Sequence, residues 1–290
     1  MKTAPEWNRD ALLQSPLFTP LHPVLANLET GDFPTLHDCN ALLAARQPPI
    51  AVRRGMPLCF ILQETGKLSF EAQYEPRCYL KGEVQMRADN WHDLFNALVW
   101  LTFPKTKAVI NARHYDVLTN GTGMPTNAGR GAVRDVNTLL DESGVIVVYS
   151  DAGLAALLCD FQWKELFWQR REQVSAGHFD RTRTGMGFYL FGHGLYEKAL
   201  QPFVGMTGQG LLMKVEPAFF GWPLEQQLAH LDTILADHLA DPNFCRNTRE
   251  LSPVPLLGVP GWASGNDNPA YYDNTAYFRP GRREQGTSIR

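Results

Sequence analysis

The segment from Asp89 to Phe103, DNWHDLFNALVWLTF, constrains the fold most, because it is apolar on nearly every side. A stretch of this kind followed by Pro104 predicts a helix that lies inside the protein. Asp89 or Asn90 is the predicted N-cap, since short polar side chains accept hydrogen bonds from the free N–H groups of a first helical turn. The chain is therefore predicted to pack its core around this helix.

Four polar residues interrupt that apolar segment on one side of the predicted helix. They stand at positions i, i+3, i+4 and i+7, namely Asp89, His92, Asp93 and Asn96. A buried polar group without a partner costs roughly 1–3 kcal/mol, so this stripe needs partners. One reading is that it faces a pocket. The other is that both aspartates serve the helix N-terminus while His92 and Asn96 make ordinary core hydrogen bonds, which explains an Asn in a helix interior poorly.

A second apolar run, FYLFGHGLYEKAL, carries His193 and Glu197 four residues apart on a predicted helix. That spacing places both side chains on one face, where they could bind a metal ion or form a base with its orienting carboxylate. Gly192 and Gly194 beside the histidine indicate that backbone or a ligand approaches closely. The alternative is a histidine at a helix end, next to a solvated Glu197 and Lys198.

A third polar cluster lies in RDVNTLLDESG and contains Arg134, Asp135, Asp141 and Glu142. DESG in front of a predicted strand is more typical of a solvated turn than of a catalytic pair. The segment INARH adds Asn111 and His114, for which a position on a helix surface is the alternative reading. This third cluster is therefore a weaker candidate than the first two.

Several common catalytic motifs are absent from the sequence. It contains no GxGxxG, GxxxxGK[ST], HExxH or GxSxG, so nucleotide-binding and serine-hydrolase readings lose their main support. An HNH nuclease built from His92, Asn111 and His114 is disfavoured, because His92 falls inside a predicted helix and that motif begins on a β-hairpin.

Local basic clusters give a hypothesis of another class. The arginines concerned are Arg170, Arg171, Arg181, Arg183, Arg279, Arg282 and Arg283. With Trp163, Trp168 and Phe179 between them, they could form a surface that binds phosphates and stacks on bases. A solvated helix face is the alternative.

The remaining chain predicts an α+β fold, a mainly helical single domain over residues 1–290 with a small antiparallel sheet. Residues 1–50 are a Pro-rich segment with one short helix, capped by Thr35 and Asp38. The segments LCFILQ and LSFEAQY predict a hairpin that RCYLKGEVQMR continues, and VIVVYS predicts a buried strand. Further helices are predicted at 104–118, 132–142, 152–174 and 223–241. Residues 252–290 are predicted to be an extended tail, and the Gly- and Asn-rich residues 119–131 a mobile loop that could act as a lid.

Composition narrows the class of protein. The formal net charge of −3 gives no overall attraction to nucleic acid or anionic membranes, and no apolar run reaches the roughly 18 residues of a membrane span. The five cysteines are odd in number and far apart, which argues against a disulfide framework or a zinc ribbon. The N-terminus lacks the apolar region of a signal peptide. A cytoplasmic protein is expected.

Four blocks of the sequence resemble, in order, the bacterial family known as domain of unknown function 3025. They are NWHDLFNALVWLTFPKTKAVINARH, RDVNTLLDESG, FGHGLYEKALQPF and PLLGVPGW…YFRP. The resemblance runs from about Phe70 to Arg279. It implies a bacterial cytosolic protein but no particular activity, cofactor or fold, and its blocks coincide with the three polar clusters.

Together the clusters lead to the hypothesis of a metal-assisted hydrolase with one His/Asp/Glu pocket. In it His92, His193 and Glu197 bind a divalent cation, Asp93 activates water, and Asn96 orients the substrate. Asp141 or Glu142 adds a further carboxylate. The substrate, a small molecule or a phosphoester, stays open. The alternative hypothesis is a noncatalytic nucleic-acid- or protein-binding module that uses the Arg/aromatic surface.

Overall fold

The computed structural model describes residues 5–119, 131–175 and 185–281, and it confirms an α+β fold that is mainly helical. The helices are α1 (Arg9–Gln14), α2 (His22–Leu25), α3 (Leu36–Ala44), α4 (Tyr74–Lys81), α5 (Trp91–Thr102), α6 (Pro104–Thr119), α7 (Ala132–Ser143), α8 (Ala152–Cys159), α9 (His193–Ala199) and α10 (Leu224–Ala240). The strands are β1 (Cys59–Leu62), β2 (Glu83–Met86), β3 (Gly144–Tyr149), β4 (Val174–Ser175), β5 (Met186–Leu190), β6 (Thr207–Lys214) and β7 (Ser252–Pro255). The predicted lid at 119–131 lies outside the described residues, apart from its two end residues.

A five-stranded sheet with the order β4-β5-β3-β6-β7 lies behind the helices. Its central strand β3 is the predicted VIVVYS strand, and four consecutive apolar residues, Val145 to Val148, are fully buried. β3 is antiparallel to β5 and parallel to β6. Pairing is therefore mixed, because the chain leaves β5, forms α9 and enters β6 on the other side of β3.

The predicted hairpin is wrong. β1 forms where LCFILQ predicted a strand, but residues 70–72 form a 3-10 turn that leads into α4. The partner of β1 is β2, and the two strands run parallel. Parallel neighbours need a crossover, which α4 supplies before it ends at Gly82 with a left-handed φ of 74°. The alternating apolar residues from Leu68 to Tyr74 therefore do not form the strand that they predicted.

Helix α5 is the predicted buried helix, and Asn90 is its N-cap through a bond from the Asp93 backbone N–H. Its residues are almost all buried, as its apolar circumference predicts. Helix α6 begins at Pro104, as expected. The carboxylate of Asp232 in α10 accepts the backbone N–H groups of Lys105 and Thr106 and so caps α6 from another helix. Asp89 is exposed and precedes α5, so it is not part of the polar stripe.

The long helix predicted at 152–174 is wrong. Asp151 caps α8, but α8 ends at Cys159 and Phe161 takes a left-handed φ of 59°. A π-helical turn at 165–169 and a 3-10 turn at 171–173 follow. The helix-like spacing of apolar residues here belongs to one short helix and one π-helical turn, which both bury apolar side chains, whereas the 3-10 turn buries none.

The later predicted elements form largely as expected. Helix α10 buries Leu224, Leu228, Leu231, Leu235 and Leu239, although it begins at Leu224, with Pro223 as N-cap. In the tail as far as residue 281, residues 252–255 form the strand β7, and residues 256–258 and 269–273 are 3-10 turns. In the described ranges, no helix is long and apolar enough to cross a membrane.

Candidate metal centre

His92 and His193, from the two strongest polar clusters, meet in the structure. Helix α5 packs against α9, and the two Nε2 atoms lie 3.1 Å apart. The ring planes are inclined by 71°, with ring centroids 4.5 Å apart. Both histidines therefore direct the same nitrogen toward one point.

The two glycines beside His193 make this meeting possible. A Cβ on Gly192 would lie 2.5 Å from the backbone nitrogens of Ser143 and Gly144, and one on Gly194 would lie 2.5 Å from Oε2 of Glu142. No real Cβ tolerates such distances, so only glycine lets the start of α9 lie against the end of α7. The close approach predicted from these glycines is an approach of backbone.

Glu142 completes a three-residue group with the histidines. Its Oε1 lies 3.7 Å from Nε2 of His92 and 3.5 Å from Nε2 of His193. The three side chains could hold one metal ion. Nε2 of His92, Nε2 of His193 and Oε1 of Glu142 form a triangle, and one point in its plane lies about 2.0 Å from all three atoms. This distance is close to the length of Zn–N and Zn–O bonds. The group fits a single ion.

The other nitrogen of each histidine faces a carboxylate. Nδ1 of His92 lies 3.1 Å from Oε2 of Glu197, and Nδ1 of His193 lies 3.7 Å from Oδ2 of Asp141. The first contact is a hydrogen bond, and a carboxylate bonded in this way fixes the tautomer and orientation of a metal-binding histidine. The second is too long for a hydrogen bond, and Nδ1 of His193 is buried without a hydrogen-bond partner among the described residues. Glu197, predicted as a ligand, thus contacts Nδ1 of His92, whereas Glu142 lies beside the two Nε2 atoms.

Asp141 belongs to a buried hydrogen-bonded chain. Lys107, which is 3% exposed, donates from Nζ to Oδ1 of Asp141 at 2.5 Å and to Oδ1 of Asn96 at 2.9 Å. Asn96 in turn donates from Nδ2 to the hydroxyl of Tyr74 at 2.6 Å. Burial raises the pKa of Asp141, but the charges of Lys107 and His193 outweigh it and leave that pKa below its ordinary value. The carboxylate is therefore ionised at neutral pH.

Asp93 is held by Arg87. The guanidinium donates to both carboxylate oxygens at 2.8 Å, and the Arg87 backbone N–H adds a third bond at 2.7 Å. Burial raises the pKa of Asp93, and these bonds lower it further than burial raises it. That Asp93 activates water stays a prediction, and its contacts favour a role in holding Arg87.

These groups surround a cavity of about 300 Å³. Besides the triad, its lining includes Tyr74, Arg87, Asn96, His114 and Arg134. Among the described residues no lysine or arginine lies within ion-pair distance of Glu142 or Glu197, although the charge of Arg87 reaches Glu197. Contact with His193 is the main reason that the pKa of Glu142 lies below its ordinary value. Such a site favours a bound cation.

Sequence reasoning missed Tyr74 and Lys107, and it placed Glu142 only as an alternative to Asp141. Lys107 stands among other polar residues in the sequence of α6, so nothing in that segment distinguishes it as buried. Glu142 did have one, since it shares a short segment with Asp141 and directly precedes the central strand. His114 lies at the cavity, whereas Asn111 donates to Glu75 beside it.

A comparison with protein families matches residues 58–282 to a family described as protein of unknown function, DUF3025. The match covers most of the chain, and the protein belongs to this family. The matched residues 58–282 include His92, Glu142 and His193, the three residues of the candidate centre. Comparisons with curated proteins and with solved structures gave no match.

Proposed function

We propose that the protein is a zinc-dependent hydrolase with His92, Glu142 and His193 as the metal ligands. The observation that supports this most is the spacing of the three ligand atoms, whose mean separation is about 3.4 Å. Tetrahedral coordination with bonds of about 2.1 Å requires about that separation. An octahedral facial triad would need about 3.0 Å, which only the two Nε2 atoms approach, and two imidazoles with one carboxylate are a ligand set that catalytic zinc sites use.

Three protein ligands leave a fourth position for water. Zinc in such a site lowers the pKa of bound water to about 7 and polarises a carbonyl or phosphoryl oxygen, which is the chemistry of hydrolysis. In this proposal Glu197 orients the imidazole of His92 through a hydrogen bond, and Asp141 places a negative charge 3.7 Å from Nδ1 of His193. Asn96 acts on a substrate through Tyr74, because both ends of its amide are already bonded within the protein.

The alternative binding module has less support. Trp163 is buried and its indole donates to the carbonyl of Arg279, so it offers no face for stacking. Arg171 lies over the ring of Trp168, 5.7 Å from its centroid, as a solvated helix face allows. Arg170 is exposed. Five further members of the surface, Phe179, Arg181, Arg183, Arg282 and Arg283, lie outside the described residues.

A cytoplasmic location and a single domain remain parts of the proposal. All five cysteines are free, which suits a reducing compartment. The buried apolar residues from Leu12 to Phe278 form one cluster, which supports one domain.

Metal analysis of the purified protein tests the proposal first. Elemental analysis by ICP-MS should find about one zinc per chain, and titration against a fluorescent chelator should give the affinity. Glu142→Gln and His193→Ala should abolish tight binding. Glu197→Gln should weaken it by about 10- to 100-fold, as expected for a residue behind a ligand. His238→Ala, at an exposed histidine on α10, is the control and should change nothing.

Hydrolysis is tested separately with chromogenic carboxyl and phosphate esters. Chelation of the metal and Glu142→Gln should each remove activity, and zinc should restore it in the wild type. Absence of metal binding would overturn the proposed centre. Tight zinc binding without hydrolysis of either ester class would count against the hydrolase.

A further inference from the structure

We infer that the cavity wall outside the triad binds an oxyanion of the ligand, a phosphate or carboxylate group, through the hydroxyl of Tyr74 and the guanidinium of Arg134. This inference rests on the proposed function, because it names the class of substrate that would reach the metal. Both side chains line the cavity that contains the triad.

The direction of the hydrogen bonds makes Tyr74 a donor. Lysine can only donate, so the Asn96 atom that meets Lys107 must be Oδ1. The Asn96 atom at Tyr74 is then Nδ2, which also can only donate, and the phenol oxygen accepts it. Burial raises the pKa of Tyr74 well above its ordinary value, so the hydroxyl keeps its proton. That proton has no acceptor among the residues that the structure describes, and it is left for a ligand in the cavity.

Arg134 adds a charge to the same wall. It stands in the first turn of α7, where a cation is disfavoured by the helix dipole, and it makes no hydrogen bond or ion pair within the described ranges. Residues 134, 138, 141 and 142 share one helix face, which places Arg134 about 12 Å along the axis from Glu142. A guanidinium can bind phosphate or carboxylate with two parallel bonds.

The charge balance of the cavity makes this binding depend on the metal. Arg87 neutralises Asp93, and Lys107 neutralises Asp141. Of the other charged residues that line the cavity, Glu75 and Glu142 outnumber Arg134, so the cavity without a cation disfavours an anion. A divalent cation removes that excess of negative charge, and the loaded protein should bind oxyanions more tightly than the metal-free protein.

Calorimetric titration with inorganic phosphate and, in a second arm, with acetate tests the inference on zinc-loaded and metal-free protein. Tyr74→Phe should weaken anion binding by about 10- to 100-fold, as expected for one hydrogen bond to a charged group. It should leave zinc affinity unchanged. Tyr79→Phe, on the same helix but stacked on Tyr115, is the matched control and should bind like the wild type. Arg134→Gln should also weaken binding, whereas Arg249→Gln, at an exposed arginine elsewhere, should not.

The inference is supported if Tyr74→Phe and Arg134→Gln both weaken anion binding. Whether phosphate or acetate binds then identifies the ligand group as phosphate or carboxylate. Equal binding by wild type and Tyr74→Phe would overturn the inference, and so would a wild type that binds neither anion in either state. Those results leave the zinc measurements untouched. Failure of zinc binding would instead overturn the proposed function, and it is seen in a separate titration.

Discussion

At the scale of residues, Lys107 is the group whose removal should cost most. It is buried with Asp141 and Asn96 as its partners, and truncation would leave the Asp141 carboxylate buried and unpaired. Lys107→Ala should lower the free energy of unfolding by about 3–5 kcal/mol. Lys105 on the same helix is exposed and bonds only Thr233 through its amine, so Lys105→Ala should cost about 0.5 kcal/mol or less. Urea unfolding of both variants decides it, and equal losses would contradict the buried-pair argument.

Asp38 gives a pH-dependent contribution far from the candidate centre. It accepts bonds from the hydroxyl and backbone N–H of Thr35, and the hydroxyl bond is the main reason that its pKa is lowered. Because the folded-state pKa lies below the unfolded one, the contribution is fully present above about pH 4 and is lost as pH falls through the folded value. Asp38→Ala should cost about 1 kcal/mol at pH 7 and less at pH 3.

Unfolding curves of wild type and Asp38→Ala at both pH values measure this difference. A gap that grows toward acid would contradict the sign of the lowered pKa.

The sequence predicted the two histidines of the candidate centre with Glu197 as their partner, and it gave Glu142 only as one of two further carboxylates. Helical spacing places Glu197 and His193 on one face, yet Glu197 reaches Nδ1 of the other histidine. Which oxygen meets which nitrogen depends on how α5, α7 and α9 pack together, and a periodicity within one segment does not contain that information.

At the scale of elements, the junction of α7 and α9 should be sensitive to single methyl groups. A Cβ at position 194 would push the Glu142 carboxylate, a movable group that is also a proposed ligand. Gly194→Ala should therefore reduce zinc affinity at least about 10-fold with a small loss of stability. A Cβ at position 192 would meet backbone atoms that cannot move away, so Gly192→Ala should mainly lower stability.

Zinc titration and thermal melts of the two glycine variants separate these effects. Gly221→Ala is the control, since a Cβ there meets nothing within 4 Å. Unchanged zinc affinity in Gly194→Ala would show that this contact does not position Glu142.

Helix α5 should tolerate changes on its polar side better than on its packing side. Leu98 is fully buried, and Leu98→Ala should cost about 2–5 kcal/mol through the cavity it leaves. His92 is partly exposed and His193 borders the cavity, so His92→Ala and His193→Ala should leave folding largely intact while metal binding is lost. Thermal melts of metal-free variants test this. Large losses for both histidines with none for Leu98→Ala would make the polar stripe structural.

The elements that the sequence predicted well are those with long unbroken periodicity and a clear cap, such as α5, α6 and α10. The two errors have local causes. At 68–74 an alternating pattern was too short to distinguish a strand from a turn before α4. At 160–161 the helix ends without proline or glycine, because Phe161 itself adopts the left-handed conformation. A sequence pattern does not reveal that choice, which depends on the core around Phe161.

At the scale of the whole molecule, a bound ion should stabilise the fold, because the proposed ligands come from three separate helices. Zinc at 100 times its Kd should add about 2.7 kcal/mol to the free energy of unfolding. Chelator should lower the Tm of the wild type and leave that of Glu142→Gln unchanged. Differential scanning calorimetry with and without chelator measures both, and an equal response of the two proteins would contradict the centre.

His92 and His193 are separated by 101 residues, with Glu142 between them, so the centre is made entirely of contacts with high contact order. While the chain is being synthesised, its first two ligands leave the ribosome well before α9 does. A nascent chain thus has only two of the three proposed ligands in place until β5 has joined the sheet and α9 has docked. If the proposed centre binds zinc, metal loading belongs to the end of folding, and a chain that stalls before His193 should not retain the ion.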